Sequence, residues 1–409
     1  MRMTWLSNCP WTPYGYGVQT GLFTPRLVAA GHPVGVISTY GHQGSPLNWN
    51  GVQIYGSSHH PYAMDIMHGH SKTFGADALI TLLDVQAMEV EGLQGTPWVP
   101  WVPIDHATIP PYIFDKIKQA SSRITMTKHA SVEMDKSGLA YHYVPCGVDT
   151  GIYRPLDRAE SREKMQLPAD KFIVGMVAAN KGAPSRKSFQ ANIAAFAALK
   201  KKHGDCILYL HSIDGPRVGW DAEDLKAYCD VMGLTYGYNM NDNAKGKDII
   251  FADQYGLAVG YPSEMMAALY SAMDVFLLVT KGEGFGIPLI EAQACGTPVI
   301  TGGWTAMPEL CLSGWKVDPT DCEMEFTPLG AFQCSPHPGA IAERLEAAYQ
   351  MRGNQAYRDR ARAGAMAYDA DKIVEKYWLP VLREIEGELT KVPLNGNLIR
   401  NLDMLRVTA

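Results

Sequence analysis

Short apolar runs, rich in β-branched and aromatic residues, alternate along the chain with longer segments whose apolar residues recur at helical spacing. Glycine, proline or asparagine bounds the runs, and this alternation is typical of parallel β-α units. In the first half the predicted strands are 1–7, 33–39, 52–56, 78–84, 123–127 and 141–145. In the second half they are 171–179, 206–212, 248–253, 274–280, 298–302 and 314–318. The pattern therefore predicts an α/β fold of two doubly wound units.

Three further segments qualify this picture. The segment 96–105 contains three prolines, each without the N–H that a sheet ladder needs, so we predict that it is not a central strand except near its end. The polar stretch 147–164 lies between the two series of strands and predicts an inter-domain linker. The stretch 369–389 has the pattern of a last long amphipathic helix, which Pro380 should kink. No prediction is made for 315–340.

Composition narrows the class of protein. The 409 residues are 46% hydrophobic and 19% charged, which excludes wholesale disorder. The formal charge of −6 lacks the basic excess of a dedicated nucleic-acid binder. The eight cysteines form no C-x-x-C pair and no zinc spacing, so we expect reduced thiols. The opening residues lack a signal-peptide core and no apolar run reaches about 20 residues, so we expect a cytoplasmic protein, with peripheral membrane contact left open.

The most informative stretch is TKGEGFGIPLIEAQACGTPVI at 280–300, in which a predicted strand, a glycine-rich turn, a helix and a second strand follow one another. Glu283 and Glu291 are eight residues apart. If the helix starts near Phe285, Glu283 lies in the turn, where backbone N–H groups are free, and Glu291 lies about two turns inside the helix. One carboxylate can then face a ligand above the turn while the other reaches a more distant part of it.

This stretch resembles the E-x7-E signature of the retaining GT-B glycosyltransferases of family 4, which are similar to glycogen and sucrose synthases. The segments 143–155 and 174–196 resemble that family's inter-domain crossing and phosphate-binding segment, and 371–389 resembles its returning helix. The resemblance implies two Rossmann-like domains that face each other across a cleft, with the C-terminal helix crossing back to the first. We predict a first, acceptor-side domain at 1–155 plus 378–409 and a donor-binding domain at 156–377.

The resemblance also implies roles for residues of the second domain. Glu283 would bind hydroxyls of the donor sugar and Glu291 the nucleotide ribose, unless Glu291 only pairs locally within its helix. The turn between them would line the donor site with Gly284, Phe285, Gly286 and Ile287. Arg186 and Lys187, predicted to begin a helix, would hold the donor diphosphate, the alternative being a solvated basic pair. Which cation contacts which phosphate stays open.

The first domain offers a glycine loop and aromatic residues. Gly15 and Gly17 follow the first strand, but no acid ends the second strand, which argues against a dinucleotide fingerprint. The loop instead resembles the family's glycine loop, whose amides approach the donor phosphate. Trp11, Tyr14 and Tyr16 lie in or beside it and are predicted either to contact the acceptor or to belong to the core.

Asp105 and His106 lie at the end of a predicted strand of the first domain, where ligands of open α/β sheets bind. The family often places a His or an Asp there, against the donor sugar and near the acceptor. Both residues are therefore candidates for the reacting centre, and the choice between them stays open.

No metal site is predicted. His59, His60, His68 and His70 have no known ligand spacing, and the D-x-D at Asp369 opens a predicted helix, where it suits an N-cap. We therefore expect no metal and no cofactor, with a nucleotide-diphosphate sugar as co-substrate.

The predicted function is retaining transfer of a sugar to a hydroxyl acceptor, which is a glycan, a lipid, a small molecule or modified DNA. The resemblance implies that the leaving phosphate assists deprotonation of the acceptor. Two alternatives share the fold: a glycosyltransferase for hydroxymethylated DNA bases and a nucleotide-sugar epimerase. A non-catalytic nucleotide-binding protein is a third. Residues 1–64 hold Arg2 and Arg26 and no acid, an asymmetry that suits the DNA alternative.

Overall fold

The computed structural model describes residues 1–93, 95–240 and 244–391. It contains two large sheets, which confirms the predicted α/β class with two Rossmann-like domains. The first sheet has the order β3-β4-β2-β1-β5-β6-β7-β8 and is parallel except for the β3–β4 pair. Its strands are Met3–Ser7 (β1), Val34–Ser38 (β2), Leu47–Trp49 (β3), Val52–Tyr55 (β4), Ala78–Thr81 (β5), Trp98–Val102 (β6), Ile124–Thr125 (β7) and His142–Tyr143 (β8). The helices among them are Gly15–Ala29 (α1), Met67–Phe74 (α2), Pro111–Ile117 (α3) and Lys128–Lys136 (α4).

The second sheet has the order β11-β12-β10-β9-β13-β14-β15 and is parallel throughout. Its strands are Phe172–Val177 (β9), Cys206–His211 (β10), Tyr236–Tyr238 (β11), Ile249–Phe251 (β12), Val275–Leu278 (β13), Val299–Gly302 (β14) and Gly314–Val317 (β15). A separate antiparallel hairpin joins Cys322–Phe326 (β16) to Phe332–Pro336 (β17). The helices are Arg158–Lys164 (α5), Phe189–Lys202 (α6), Leu225–Val231 (α7), Gln254–Val259 (α8), Ser263–Ala272 (α9), Ile287–Ala294 (α10), Met307–Leu310 (α11), Pro338–Gln350 (α12), Gln355–Ala365 (α13), Ala370–Ile373 (α14) and Leu379–Lys391 (α15).

The central strands of both sheets are buried on both faces, because helices cover each side of a doubly wound sheet. All residues of β1, β2, β5, β13 and β14 are buried. This double burial explains why these strands appear in the sequence as continuous apolar runs rather than as alternating ones.

One strand prediction was wrong. β6 lies between β5 and β7 and is therefore a central strand despite Pro100. The carbonyl of Pro97 accepts from Leu79 of β5, whereas that of Trp98 accepts from Ser121 on the opposite side. Because strand residues alternate, Pro100 faces the same side as Trp98, where β7 begins only at Ile124. The N–H that Pro100 lacks would therefore point toward the residues just before β7. Its absence does not interrupt a long ladder of sheet hydrogen bonds.

The C-terminal helical segment packs on the first domain. The ring of Trp378 lies 5.4 Å from Trp5, 5.0 Å from Trp101 and 5.9 Å from Phe23. The helix is irregular near Pro380, as expected, in the form of a widened π-helical turn over Val374–Trp378 that ends two residues before the proline. The predicted domain boundaries stay predictions, and 392–409 lie outside the described residues.

The expectation that all eight cysteines are reduced was wrong for two of them. Cys322 and Cys334 form a disulfide across the β16–β17 hairpin. The pairing follows from a hairpin that the sequence did not predict, since its register sets Met324 opposite Cys334 and Cys322 opposite Pro336. The sequence separation of 12 residues alone gave no reason to expect it.

Both sheets reverse their strand order at one point, between β1 and β5 in the first and between β9 and β13 in the second. In open α/β sheets, ligands bind outside the carboxyl ends of the strands at such a switch point. The residues that follow these four strands are therefore the first place to look for a site.

Candidate active site

The loop after β1 packs closely enough to require glycine. A Cβ at Gly17 would collide with the Thr12 hydroxyl and lie 2.7 Å from the Cys9 carbonyl oxygen. A Cβ at Gly15, the first residue of α1, would lie 3.2 Å from the side chain of Ile287, the first residue of α10. The predicted glycine loop and the predicted donor-binding turn thus meet across the cleft.

Arg186 and Lys187 follow β9 at the second switch point. They do not begin a helix, as predicted, but lie in the turn before α6, which starts at Phe189. Ser188 between them and the helix has a left-handed backbone with φ of 52°, so the chain changes direction there. This bend allows both cations to face the turn that contains Glu283.

Four charged side chains from both domains form one cluster. Lys187 Nζ lies 2.6 Å and Arg186 Nη1 3.4 Å from the carboxylate of Glu283. Arg186 Nε lies 3.3 Å from Asp105 Oδ2, and its guanidinium also donates to the carbonyl of Gly282. Asp105 in turn lies 2.7 Å from His106 Nδ1. Two cations therefore face two carboxylates, and Arg186 connects the domains.

Burial and charge set the pKa values of this cluster in opposing directions. Burial opposes ionisation of Glu283, but Lys187 and Arg186 hold its pKa below the usual value. Burial likewise opposes ionisation of Asp105, whose pKa is nevertheless lowered by Arg186 and His106. For Lys187, burial lowers the pKa more than the neighbouring carboxylate of Glu283 raises it, so the pKa is lowered overall. Both carboxylates are thus ionised at neutral pH.

Two glycines let the domains approach at this point. A Cβ at Gly282 would overlap the carbonyl oxygen of Asp105, and a Cβ at Gly284 would lie 2.6 Å from the Cβ of Pro103. Gly286 has φ of 106°, which glycine adopts without strain, and it immediately precedes α10. Gly282 and Gly284 therefore allow the two backbones to approach, and Gly286 allows the turn before α10.

Glu291 lies apart from the charged cluster, inside α10. It is 7% exposed, and the Tyr270 hydroxyl donates to its Oε2 at 2.8 Å. Burial raises its pKa to about 7, against the lowering effect of Tyr270 and Tyr153. Its contact is thus with side chains of other segments rather than within its own helix.

The raised pKa of Glu291 predicts a pH dependence of stability. The folded state binds this proton more tightly than the unfolded chain, so stability is fully present below the ordinary pKa of 4.5 and is lost as pH rises through about 7. Urea unfolding of the wild type and of Glu291→Gln from pH 5 to 8 should show the wild type losing stability relative to the variant, by at most about 1.4 kcal/mol per pH unit. The exposed Glu264→Gln serves as the control, and a constant difference between wild type and Glu291→Gln contradicts the raised pKa.

The three aromatic residues of the N-terminal loop separate into two groups. Tyr16 is half-buried and donates to Asp84 at 2.6 Å. Trp11 is 44% exposed, with its indole donating to the Gly41 carbonyl, and Tyr14 is 43% exposed and packs edge-on against Tyr40. Trp11 and Tyr14 thus form a surface beside the cleft, whereas Tyr16 faces the charged cluster.

Sequence reasoning missed Asp84 and the β16–β17 hairpin. Asp84 is the last residue of the predicted strand 78–84, which lies next to a switch point. Its position could have identified it, because polar residues at the carboxyl ends of such parallel strands often belong to a ligand site. The hairpin reaches the site through Thr327, whose Oγ1 lies 3.1 Å from His106 Nε2. No sequence motif in 315–340 predicted this contact.

The remaining candidates lie elsewhere. Asp369 caps α14, with its side chain accepting from the backbone N–H groups of Asp371 and Lys372, as the N-cap interpretation predicted. Within the described ranges, no three His, Cys, Asp or Glu side chains come close enough to hold a metal ion. None of the helices in the described part of the chain is long and apolar enough to cross a membrane.

Two parallel-sheet Rossmann-like domains of this kind are the GT-B architecture found in glycosyltransferases. Sucrose-phosphate synthase from Thermosynechococcus elongatus has this fold and superposes with a TM-score of 0.71, at 17% identity, over 95% of this chain and 99% of its own.

Residues 172–327 match the family described as "Glycosyl transferases group 1". D-inositol 3-phosphate glycosyltransferase of Segniliparus rotundus is 29% identical over 160 residues, 38% of this chain and 30% of that protein. GDP-mannose-dependent alpha-(1-6)-phosphatidylinositol monomannoside mannosyltransferase of Mycolicibacterium smegmatis is 29% identical over 231 residues, 54% of this chain and 53% of that protein. The chain thus spans about a third to a half of these two relatives, which support a glycosyltransferase of group 1.

Proposed function

We propose that the protein is a retaining glycosyltransferase that moves a sugar from a nucleotide-diphosphate sugar to a hydroxyl acceptor. The observation that carries the proposal is the cluster in which Arg186, Lys187 and Glu283 of one domain face Asp105 and His106 of the other. The names of the relatives point the same way, and one of them uses GDP-mannose. By those names, inositol 3-phosphate and a phosphatidylinositol mannoside are the first acceptors to try. We retain the cytoplasm as the expected location.

The charges explain how a diphosphate would enter. Arg186 and Lys187 are already paired with Asp105 and Glu283, so the cluster carries no excess positive charge. A diphosphate must therefore compete with Asp105 for Arg186, and it gains charge-assisted hydrogen bonds when it succeeds. Asp105 is then released from Arg186 and stays next to His106 on the acceptor side.

The transfer needs little covalent participation by the protein. The bond between the sugar anomeric carbon and the diphosphate oxygen breaks, and a bond from that carbon to the acceptor oxygen forms on the same face. The acceptor proton passes to the leaving phosphate oxygen. Arg186 and Lys187 stabilise the negative charge that grows on the phosphate, while the closed cleft positions the reactants. The proposal includes no metal ion and no cofactor.

The two glutamates hold different parts of the donor. Glu283, next to the cations, accepts hydrogen bonds from donor-sugar hydroxyls, and Glu291 accepts them from the ribose. Hydroxyl donors favour the ionised carboxylate, so nucleotide binding lowers the pKa of Glu291 from about 7 and releases a proton.

A glycosyltransferase for hydroxymethylated DNA bases is the second candidate. The exposed rings of Trp11 and Tyr14 beside the cleft favour it, because a flipped base stacks on such rings. Acceptor binding that weakens steeply with salt would support this candidate. Conversion of the donor sugar with no acceptor present would instead indicate an epimerase.

Thermal unfolding with nucleotides tests the donor site. We expect UDP, GDP, ADP or dTDP, or one of their common sugars, to raise the melting temperature of the wild type, since ligand at 100 times its Kd adds about 2.7 kcal/mol. Glu291→Ala should lose most of this rise, and Glu264→Gln, on the exposed face of α9, should keep it. No rise with any nucleotide, or an equal rise in Glu291→Ala, contradicts the proposed donor site.

A further inference from the structure

Asp84 is an exposed carboxylate at the cleft edge of the first domain, and it forms no ion pair with the residues that the structure describes. It follows β5, which pairs with β6 so that Thr81 lies opposite Pro100. The same register carried three residues further sets Asp84 level with Pro103. Pro103 is the residue that a Cβ at Gly284 would meet at 2.6 Å. Asp84 therefore lies where the first domain approaches the EGFG turn of the second.

The carboxylate of Asp84 is held by one hydrogen bond. The Tyr16 hydroxyl donates to its Oδ1 at 2.6 Å, whereas Oδ2 accepts no hydrogen bond from the described part of the chain. Burial, Asp84 and Asp105 raise the pKa of Tyr16 well above its ordinary value, so this hydroxyl keeps its proton and stays a donor. Asp84 is thus an oriented carboxylate with one oxygen open to a ligand.

Asp84 also adds negative charge beside the charged cluster. Burial opposes the charge of Arg186, and three carboxylates raise its pKa against that opposition: Glu283, Asp105 and Asp84. With Lys187 included, two cations therefore face three carboxylates. Once the donor diphosphate takes Arg186, Asp84 and Asp105 both remain on the acceptor side. Hydroxyl groups donate charge-assisted hydrogen bonds to carboxylates, whereas a phosphate brings a like charge.

Two groups of this wall of the cleft that could hold an acceptor phosphate already make hydrogen bonds within the protein. Lys116 Nζ donates to the backbone carbonyl of Gln86 at 2.8 Å and to that of Met88, which fastens the loop after β5. The backbone N–H of Lys128, the first residue of α4, lies 3.1 and 3.0 Å from the two carboxylate oxygens of Glu309. A phosphate would have to displace these bonds as well as approach a carboxylate.

We propose that Asp84, oriented by Tyr16, binds hydroxyls of the acceptor and selects an acceptor whose reacting part is an uncharged polyol over one that carries a phosphate there. This inference rests on the proposed glycosyl transfer and names the substrate class of its acceptor site. Tyr16 is a positioning residue, because its hydroxyl acts on the acceptor through Asp84. The selection has an attractive and a repulsive part, since the same carboxylate binds hydroxyls and repels phosphate.

Matched pairs of neutral and phosphorylated probes test this selection. UDP-glucose and GDP-mannose serve as donors, and the acceptor pairs are myo-inositol with inositol 3-phosphate and mannose with mannose 6-phosphate. Release of UDP or GDP above the rate without acceptor gives kcat and KM for the wild type, Asp84→Asn, Tyr16→Phe and Asp77→Asn. Asp77→Asn is the matched control, because it makes the same change at the other end of β5, where Asp77 accepts from the backbone N–H of Arg2.

The wild type should use the neutral member of at least one pair with a kcat/KM about tenfold or more above that of the phosphorylated member. Asp84→Asn should raise the KM for the neutral member about tenfold and bring the two members closer together, because it keeps the shape but loses the charge. Tyr16→Phe should raise the same KM about twofold to tenfold and keep the preference, because the charge stays. Asp77→Asn should resemble the wild type. An equal or higher kcat/KM for the phosphorylated members in the wild type overturns the proposal, as does an unchanged KM in Asp84→Asn.

Binding gives a second readout that does not depend on turnover. With a stabilising nucleotide present, the neutral probes should raise the melting temperature of the wild type and of Asp77→Asn further, and that of Asp84→Asn less. A wild type that binds nucleotide but neither uses nor is stabilised by any neutral probe overturns the proposed acceptor class. A wild type that neither binds nucleotide nor releases it from either donor instead overturns the proposed function.

Discussion

Gly282→Ala is expected to lower kcat/KM for transfer about a hundredfold or more while both domains stay folded. The added Cβ would overlap the carbonyl oxygen of Asp105 in the other domain. Both partners are backbone, so no side chain can rotate to make room. The domains must separate at this point, and a misplacement of about 1 Å between reacting groups costs on the order of a hundredfold in rate.

The measurement is nucleotide release with the donor and acceptor that the wild type uses, alongside thermal unfolding. Gly204→Ala is the matched control, because it makes the same change where a Cβ would meet nothing within 4 Å. We expect Gly204→Ala to keep wild-type kcat/KM and both variants to keep a cooperative unfolding transition. Wild-type kcat/KM in Gly282→Ala would show that the closed approach of the two loops is not the reactive arrangement.

The sequence predicted the parallel sheets well for a physical reason. Strands that are buried on both faces must be apolar along their whole length, so they stand out as short continuous runs between turn residues. The residue types of the charged cluster were predicted, since Glu283, Arg186, Lys187 and Asp105 all belong to it and the predicted His106 contacts Asp105. Their roles toward substrates stay predictions.

What the sequence could not provide were contacts made across the cleft. Asp105 pairs with Arg186, 81 positions away on another domain, and no local pattern encodes that distance. The hairpin was missed although CEMEF and FQCSP both alternate apolar and polar residues on either side of Pro328 and Gly330, a strand-turn-strand signal that the prediction did not use. Its contact with His106 joins the two domains and had no local signal in the sequence.

The second large effect is expected from removing the cation that connects the domains. Arg186→Met should lower kcat for transfer about a hundredfold to a thousandfold, the loss typical of one missing charge-stabilising group. Its guanidinium contacts Asp105, Glu283 and the Gly282 carbonyl together. Without it, less positive charge faces the leaving diphosphate, and the two carboxylates lose their shared partner.

Asp105→Asn separates these two effects. It keeps the shape of the side chain but removes the charge that competes with the diphosphate for Arg186, so nucleotide affinity, read by thermal shift or calorimetry, should rise. Arg186→Met should bind nucleotide more weakly than the wild type, and the double variant should bind no better than Arg186→Met, because Asp105 acts on the diphosphate through Arg186. Tighter binding by the double variant than by Arg186→Met would mean that Asp105 repels the diphosphate directly and that the ion pair is not what the donor displaces.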